Sequence, residues 1–259
     1  MTTSVEAQRS LAPAPAVAPW GFWATTAWAV AAFAAWLAAQ MISVAILLTW
    51  WNVNTGGLAD IRQALDHGFA VALIVLAATP AFILVILLAV RLARASPAAY
   101  LAFVPPPRRD LVLGLALLVV LLPLGDLSTW LSGRDIVHPF MVHSYVTARE
   151  GGFWAVFALA CAVVVAAPLT EEIAFRAFIY RGWSASPLGP AGTIALTSAI
   201  WAAMHLQYEM FYLVQIFGLG LVFGWLRQRS GSTLLPLLLH VLVNFTALLQ
   251  TAIVVAVRS

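Results

Sequence analysis

The strongest constraint on the fold is a series of long apolar stretches that follow one another along most of the chain. Hydrophobic residues make up 63% of the 259 residues and charged residues only 9%, which excludes an ordinary soluble domain. A membrane-spanning helix needs about 20 apolar residues, and charged or turn-forming residues separate the apolar stretches. We therefore predict an all-α, polytopic transmembrane helix bundle with about seven spans: 22–49, 69–92, 111–131, 153–180, 191–206, 211–226 and 234–257.

The first residues depart from this apolar pattern. Residues 1–19 are rich in Ala, Pro, Ser and Thr and lack an apolar face, so we predict a disordered N-terminal tail. The apolar run that follows is longer than the roughly 7–15 apolar residues of a cleavable signal peptide, and we expect it to remain as the first anchor. Because the loops are short, with 133–152 as the longest exception, we expect residues 20–257 to form a single transmembrane domain.

The charged residues exclude some partners and suggest an orientation. All 13 basic residues are arginines, the formal net charge is +3, and no basic face is present on which nucleic acid could bind. The lone cysteine excludes disulfides and thiolate metal clusters. Short cytoplasmic loops collect arginine, so we expect a cytoplasmic N-terminus and an external C-terminus. We also expect the membrane to be the bacterial inner membrane. With seven alternating spans, the arginines on the cytoplasmic side are Arg91, Arg94, Arg108, Arg109, Arg181, Arg227 and Arg229.

Two carboxylates and a guanidinium interrupt the fourth apolar stretch, at Glu171, Glu172 and Arg176. An ionisable side chain at bilayer depth costs roughly 2.5–3.5 kcal/mol on insertion scales, so these residues need partners or a function. Adjacent helix positions diverge by about 100°, whereas residues at i and i+4 share a face. We expect Glu172 and Arg176 to form a buried pair, which leaves Glu171 as the freer carboxylate. A purely structural network of all three is the alternative.

Polar residues also interrupt two later apolar stretches. His205 is the penultimate residue of the stretch 191–206, and His240 and Asn244 stand at i and i+4 on one face of the last helix. A lone membrane histidine is often a packing residue, but three helices that each offer a polar group favour convergence on one polar cavity. Three other histidines lie in predicted loops, where we expect them to be solvated: His67, His138 and His143.

These motifs together resemble those of a known family. The chain is similar to the CPBP (CAAX protease and bacteriocin-processing) intramembrane proteases, also called the ABI or Rce1-like family, in three ordered motifs: Glu171-Glu172-x-x-x-Arg176, an aromatic-x-x-x-His ending at His205, and His240-x-x-x-Asn244. The resemblance covers about 153–251, which would hold the catalytic core. Trp201 stands where the family more often has Phe, and both are bulky aromatic residues.

The resemblance implies hydrolysis of a peptide bond in a membrane-associated or lipidated peptide or protein. It assigns three roles: water activation to Glu171 and His205, oxyanion stabilisation to His240 and Asn244, and support to Glu172 and Arg176. The chemistry fits, because a carboxylate and an imidazole can share the proton of a water molecule. Amide and imidazole N–H groups in a low dielectric can stabilise an oxyanion. We favour this glutamate mechanism without a cofactor.

Other mechanisms and functions stay open at this stage. A catalytic zinc ion could be bound by Glu171, His205 and His240 with the fourth position open to water, although no H-E-x-x-H motif occurs. The protein could also be a non-catalytic membrane scaffold or bacteriocin-immunity-type protein. A third class is an ion- or proton-coupled transporter, against which the lack of an inverted repeat counts.

The expected partners are the lipid bilayer and a peptide or protein substrate. Gly220 and Gly224 form a G-x-x-x-G pair that would let another helix approach closely. We expect this helix to belong to the same chain, with a homodimer face as the alternative. The sequence leaves the oligomeric state open.

The depth of the polar residues poses a geometric problem. Full-length alternating helices would place His205 near the opposite membrane face from His240. The two can meet only if helices tilt strongly or if the turn around 207–210 dips into the bilayer. We therefore predict an irregular catalytic core, with the helix around Pro168 kinked or restarted.

Overall fold

The computed structural model describes residues 20–55 and 67–258. These ranges contain helices and no strand, so the predicted all-α fold is confirmed. The predicted disordered tail at 1–19 lies outside the described residues. The helices, numbered in chain order, are α1 (Phe22–Thr55), α2 (Gly68–Leu92), α3 (Pro97–Tyr100), α4 (Arg108–Leu131), α5 (Pro139–Glu150), α6 (Phe153–Ser184), α7 (Gly189–Ala203), α8 (Met210–Ser230) and α9 (Leu234–Arg258).

Six helices of the described chain are long and apolar enough to cross a membrane, namely α1, α2, α4, α6, α8 and α9. The protein is therefore an integral, multi-pass membrane protein. The prediction of about seven spans differs in one helix, the predicted span 191–206. The corresponding helix α7 has 15 residues and a length of about 22 Å at 1.5 Å per residue, which is less than the roughly 30 Å of the hydrocarbon core.

One end of the bundle brings the connection between α2 and α4 together with the ends of α6 and α8. Arg181 Nη1 donates to Ala99 O at 3.0 Å, and Arg229 Nε donates to Asp110 Oδ1 at 2.8 Å. We call this end the arginine end. It holds the seven arginines that the sequence placed on one side: Arg91, Arg94, Arg108, Arg109, Arg181, Arg227 and Arg229.

The opposite end brings the connection between α4 and α5 together with the turn 204–209 and the last turn of α9. Arg134 Nε lies 3.5 Å from Glu209 Oε2, and Arg258 Nη2 lies 3.5 Å from Asp135 Oδ1. The helix α7 starts at the arginine end, next to the end of α6, and the turn 204–209 completes its path to the opposite end. Successive segments of the chain therefore still run in opposite directions across the bundle, as the predicted orientation requires.

The long helix α6 is irregular on both sides of Pro168. Two π-helical stretches, Cys161–Ala166 and Ile173–Ile179, flank the α-helical segment Ala167–Glu172, which has Pro168 in its first turn. Proline has no N–H to donate along the helix, and the wider π turns accommodate this gap without ending the helix. The predicted irregular core is present, and α6 widens around Pro168 rather than restarting.

The helices α7 and α8 pack closely through the two glycines of the G-x-x-x-G pair. A Cβ atom on Gly224 would lie 2.7 Å from Ile194 Cγ2, and one on Gly220 would lie 2.8 Å from Ser198 Cβ. Contacts this short require glycine. The pair therefore serves packing within the chain, as predicted.

Candidate active site

A cavity of about 500 Å³ lies inside the bundle, with walls that include α6, α8 and α9. Glu171, His205, His240 and Asn244 all line this cavity. The convergence predicted from the cost of polar groups on three apolar segments is therefore seen in the structure.

The short length of α7 brings His205 to the cavity. The helix ends at Ala203, so His205 lies in the turn that follows rather than in a helix that continues to the surface. His205 Nδ1 lies 2.8 Å from Trp201 O. Because a carbonyl oxygen only accepts hydrogen bonds, Nδ1 carries a hydrogen, and in the neutral imidazole Nε2 keeps a lone pair. His205 thus offers a basic nitrogen in the cavity wall.

Glu172 and Arg176 form a buried ion pair on α6. Arg176 Nη1 donates to Glu172 Oε1 at 3.2 Å, and the side chains are 1% and 0% exposed. The same carboxylate oxygen lies 2.9 Å from His240 Nδ1, so it also accepts from the imidazole. Arg176 Nη2 donates further to Gly220 O at 3.3 Å. Glu172 therefore connects the arginine on its own helix to a histidine on α9.

Glu171 is the accessible carboxylate of the pair. Its side chain is 22% exposed and lines the cavity, whereas Glu172 is buried. Trp201 Nε1 donates a hydrogen bond to Glu171 Oε2. His240 Nε2 lies 3.8 Å from the same oxygen, which is too long for a direct hydrogen bond but allows a single water molecule to bridge the two atoms.

Asn244 is fixed by the irregular part of α6. Its Nδ2 donates to Val163 O at 2.8 Å. In the π-helical stretch, Val163 O would accept from the N–H of residue 168, five positions later, but Pro168 has no N–H. Asn244 therefore supplies the missing donor. It keeps a second amide hydrogen and Oδ1 for the cavity.

Trp201 contacts several of the charged and imidazole groups. Besides its bond to Glu171, its ring lies 4.5 Å from Arg176 Cζ and meets the His240 ring edge to face at 5.2 Å between centroids. The interpretation of the sequence considers Trp201 only as a bulky aromatic residue in place of Phe. Its indole N–H, four residues before His205, was the signal that could have identified a hydrogen-bond donor.

Comparison with known proteins adds a family to this geometry. Residues 152–246 match the family model of the Rce1-like type II CAAX prenyl endopeptidases. This segment is similar to the Rce1-like family. The predicted resemblance is thereby confirmed, and the matched segment contains all the cavity residues described above. At the family level, the match supports a membrane endopeptidase of the CAAX-protease type.

Similarity to individual proteins is more limited. An 80-residue stretch is 36% identical to an "Uncharacterized 24.3 kDa protein" of Escherichia coli, over 30% of this chain and 37% of that protein. The chain thus matches little more than a third of that relative's length. No solved structure is significantly similar.

His138, outside the Rce1-like segment, also lines the cavity. His138 lies in a loop, as predicted, but it is half-buried rather than fully solvated, because the turn before α5 packs against the start of α8. The His138 ring meets the rings of Tyr208 and Tyr212 edge to face, at 4.7 and 5.1 Å between centroids. Burial lowers the pKa of His138, although the carboxylates of Glu209 and Asp135 act in the opposite direction.

Tyr208 also lines this part of the cavity. Burial, reinforced by the charge of Glu171, raises the pKa of Tyr208 to about 12, so its hydroxyl stays protonated and can donate a hydrogen bond.

The two remaining histidines lie away from the cavity. His143 is exposed, as predicted, but lies on helix α5 rather than in a loop. His67 lies in the loop before α2, as predicted, but is half-buried.

The three zinc ligands that the sequence suggests lie in the wall of the same cavity. A zinc site needs ligand atoms about 2.0–2.2 Å from a common point. Within 20–55 and 67–258, no group of three or more His, Cys, Asp or Glu side chains lies close enough to hold a metal ion. Glu171, His205 and His240 line the same cavity, and the preference for a glutamate mechanism over a zinc mechanism stays a prediction.

Proposed function

We propose that this protein is an intramembrane endopeptidase that hydrolyses a peptide bond of a membrane-associated or lipidated peptide or protein. The observation that carries the proposal is the single cavity in which an accessible carboxylate, Glu171, lies with His205, His240 and Asn244. The match to the Rce1-like family supports the same reaction class. We place the enzyme in the bacterial inner membrane.

The first step is addition of water to the peptide carbonyl. Glu171 accepts a proton from a water molecule in the cavity, and the water oxygen forms a bond to the carbonyl carbon. The carboxylate oxygen Oε1 and the basic Nε2 of His205 are both suited to hold this water molecule. Trp201 keeps Oε2 in place through its N–H, so the other oxygen of Glu171 can point at the water.

The oxyanion that forms needs hydrogen-bond donors. His240 Nδ1 donates to Glu172. The Nε2 atom can therefore donate to the oxyanion when the ring is in its doubly protonated, imidazolium form. Asn244 can donate its second amide hydrogen. Donors fixed in a site from which bulk water is excluded stabilise developing charge strongly.

The reaction ends when the carbon–nitrogen bond breaks. The proton that Glu171 accepted passes to the leaving nitrogen, which becomes an amine, and the carbonyl carbon becomes a carboxylic acid. Glu171 is then a carboxylate again and the next water molecule can enter. Glu172 and Arg176 take no proton in this scheme and position His240.

Replacement of the accessible carboxylate tests this proposal. Glu171→Gln should lower turnover by at least the roughly 100-fold typical of losing a general base, with unchanged abundance. Glu150→Gln is the matched control, because it removes an exposed carboxylate at the end of α5, away from the cavity. New peptide termini in membranes that contain the wild type or the control, and not Glu171→Gln, would identify substrates. Equal termini in all three membranes would instead favour a non-catalytic scaffold.

A further inference from the structure

The cavity is closed toward the arginine end. Its lining ends at Ala174 on α6 and at Phe223 on α8, and it begins only at His240 on α9. Each helix leaves at least six residues, about 9 Å of helix, between the cavity and its own terminus at that end. Fully buried side chains fill this layer, among them Phe178 and Leu235.

The cavity continues to the surface at the opposite end. Its lining reaches Val71, three residues into α2, and Tyr212, two residues into α8. It also includes Gln207, which is exposed in the turn 204–209, and Ile136, which is 45% exposed before α5. A peptide or a water molecule can therefore reach Glu171 from this end of the bundle.

The charges at the two ends indicate which end faces the cytoplasm. The arginine end carries seven arginines against one carboxylate, Asp110, a formal charge of +6. In the described residues, the opposite end carries three arginines against four carboxylates, a formal charge of −1. These residues are Arg134, Arg149, Arg258, Asp126, Asp135, Glu150 and Glu209. Since short cytoplasmic loops are enriched in arginine, the arginine end is the cytoplasmic one.

We infer that the cavity opens to the extracytoplasmic face of the membrane. If the proposed peptidase activity holds, on which this second part rests, its substrates are peptide segments at the outer surface of the membrane. Exported peptides and the external segments of membrane proteins have this placement. A lipidated C-terminus in the cytoplasm would instead meet the closed layer around Phe178 and Leu235.

Cysteine labelling tests the direction of opening without any substrate. In a Cys161→Ala background, Ala247→Cys places a thiol in the cavity wall and Gln207→Cys places one at its mouth. Phe245→Cys is the matched control, because this residue lies on the same helix as Ala247 but is 53% exposed on the outer surface of the bundle. Val104→Cys, at a residue 43% exposed, reports on the arginine end. The probe is a charged maleimide that does not cross membranes, added to intact cells and to inside-out vesicles.

We expect Gln207→Cys and Ala247→Cys to react in intact cells, about tenfold faster than Phe245→Cys, whose thiol in lipid forms little thiolate. Val104→Cys should react only in inside-out vesicles. The reverse pattern would overturn the inference, and so would an Ala247→Cys thiol that reacts from neither side. A mixture of soluble peptides added outside cells should then be cleaved by the wild type and not by Glu171→Gln. If the labelling is as expected but these peptides and membrane proteins stay uncleaved, the proposed activity fails and the opening stands.

Discussion

Glu172→Gln tests the junction that joins Arg176 to His240. The Gln side chain keeps an accepting oxygen but carries no charge, so the buried guanidinium loses its counter-charge. Leaving one partner of a buried ion pair uncompensated costs about 3–5 kcal/mol. The side chains of Glu172 and Arg176 are 0% and 1% exposed, so solvent does not screen this loss. We expect the free energy of unfolding to fall by that amount, a large part of the roughly 5–15 kcal/mol of an ordinary protein.

A double variant separates stability from activity. Glu172→Met combined with Arg176→Met removes both charges while keeping similar volumes, and it should recover most of the lost stability. His240 Nδ1, however, would still lack the oxygen that accepts from it at 2.9 Å. Loss of a group that orients a functional histidine typically costs about 10- to 100-fold. We therefore expect turnover to stay low in the double variant although the protein is stable.

Two measurements decide this prediction: denaturant unfolding in detergent and turnover per folded molecule. A double variant that regains turnover together with stability would show that the contact between Glu172 and His240 does not serve catalysis. A stable but inactive Glu172→Gln, together with an unstable but active Glu171→Gln, would mean that the two glutamates have the reverse roles. Glu150→Gln should match the wild type in both measurements.

Three further experiments test other parts of the structure. Trp201→Phe removes the N–H that holds Glu171. A hydrogen bond to a charged group is worth about 1.5–3 kcal/mol, so kcat should fall roughly 10- to 150-fold with little change in thermal stability. A wild-type kcat would contradict this expectation. Gly224→Ala places a Cβ 2.7 Å from Ile194 Cγ2 and should destabilise the protein by about 1–3 kcal/mol. Gly218→Ala, where a Cβ has open space, should instead stabilise it slightly, and equal melting temperatures would refute the close packing of α7 on α8. Stringent chelation should leave hydrolysis unchanged, and a loss that zinc specifically restores would favour the metal mechanism.

Contacts within one helix were the easiest to predict from the sequence. The pairing of Glu172 with Arg176 follows from their i and i+4 spacing, because the geometry of a single helix turn is set locally. The bond between Glu172 and His240 joins residues 68 positions apart, and no local rule gives the rotation of α9 relative to α6. The cost of intramembrane polar groups predicted that they meet, but not which atoms bond.

The features that the sequence did not reveal depend on where elements end and pack. The apolar stretch 191–206 gave no sign that α7 stops at Ala203, because neither glycine nor proline follows until the next helix has begun. His138 reaches the cavity because the turn before α5 packs against the start of α8, whereas its own sequence neighbourhood is typical of a loop. The N–H of Trp201 was readable in principle, since a tryptophan differs from a phenylalanine by this donor.

The two π-helical stretches of α6 also govern how the protein can change by insertion and deletion. A π turn contains about one residue more than an α turn, so each stretch shifts the helical phase by about 100°. The segment Ala167–Glu172 lies between these two stretches. Its side chains are therefore rotated relative to those of the helix on either side. Loss of one residue from Cys161–Ala166 together with gain of one residue in Ile173–Ile179 would turn Glu171 away from the cavity while both ends of the helix kept their phase. Paired single-residue changes in the two π-helical stretches can thus rotate the carboxylates by about 100° while the rest of α6 keeps its orientation.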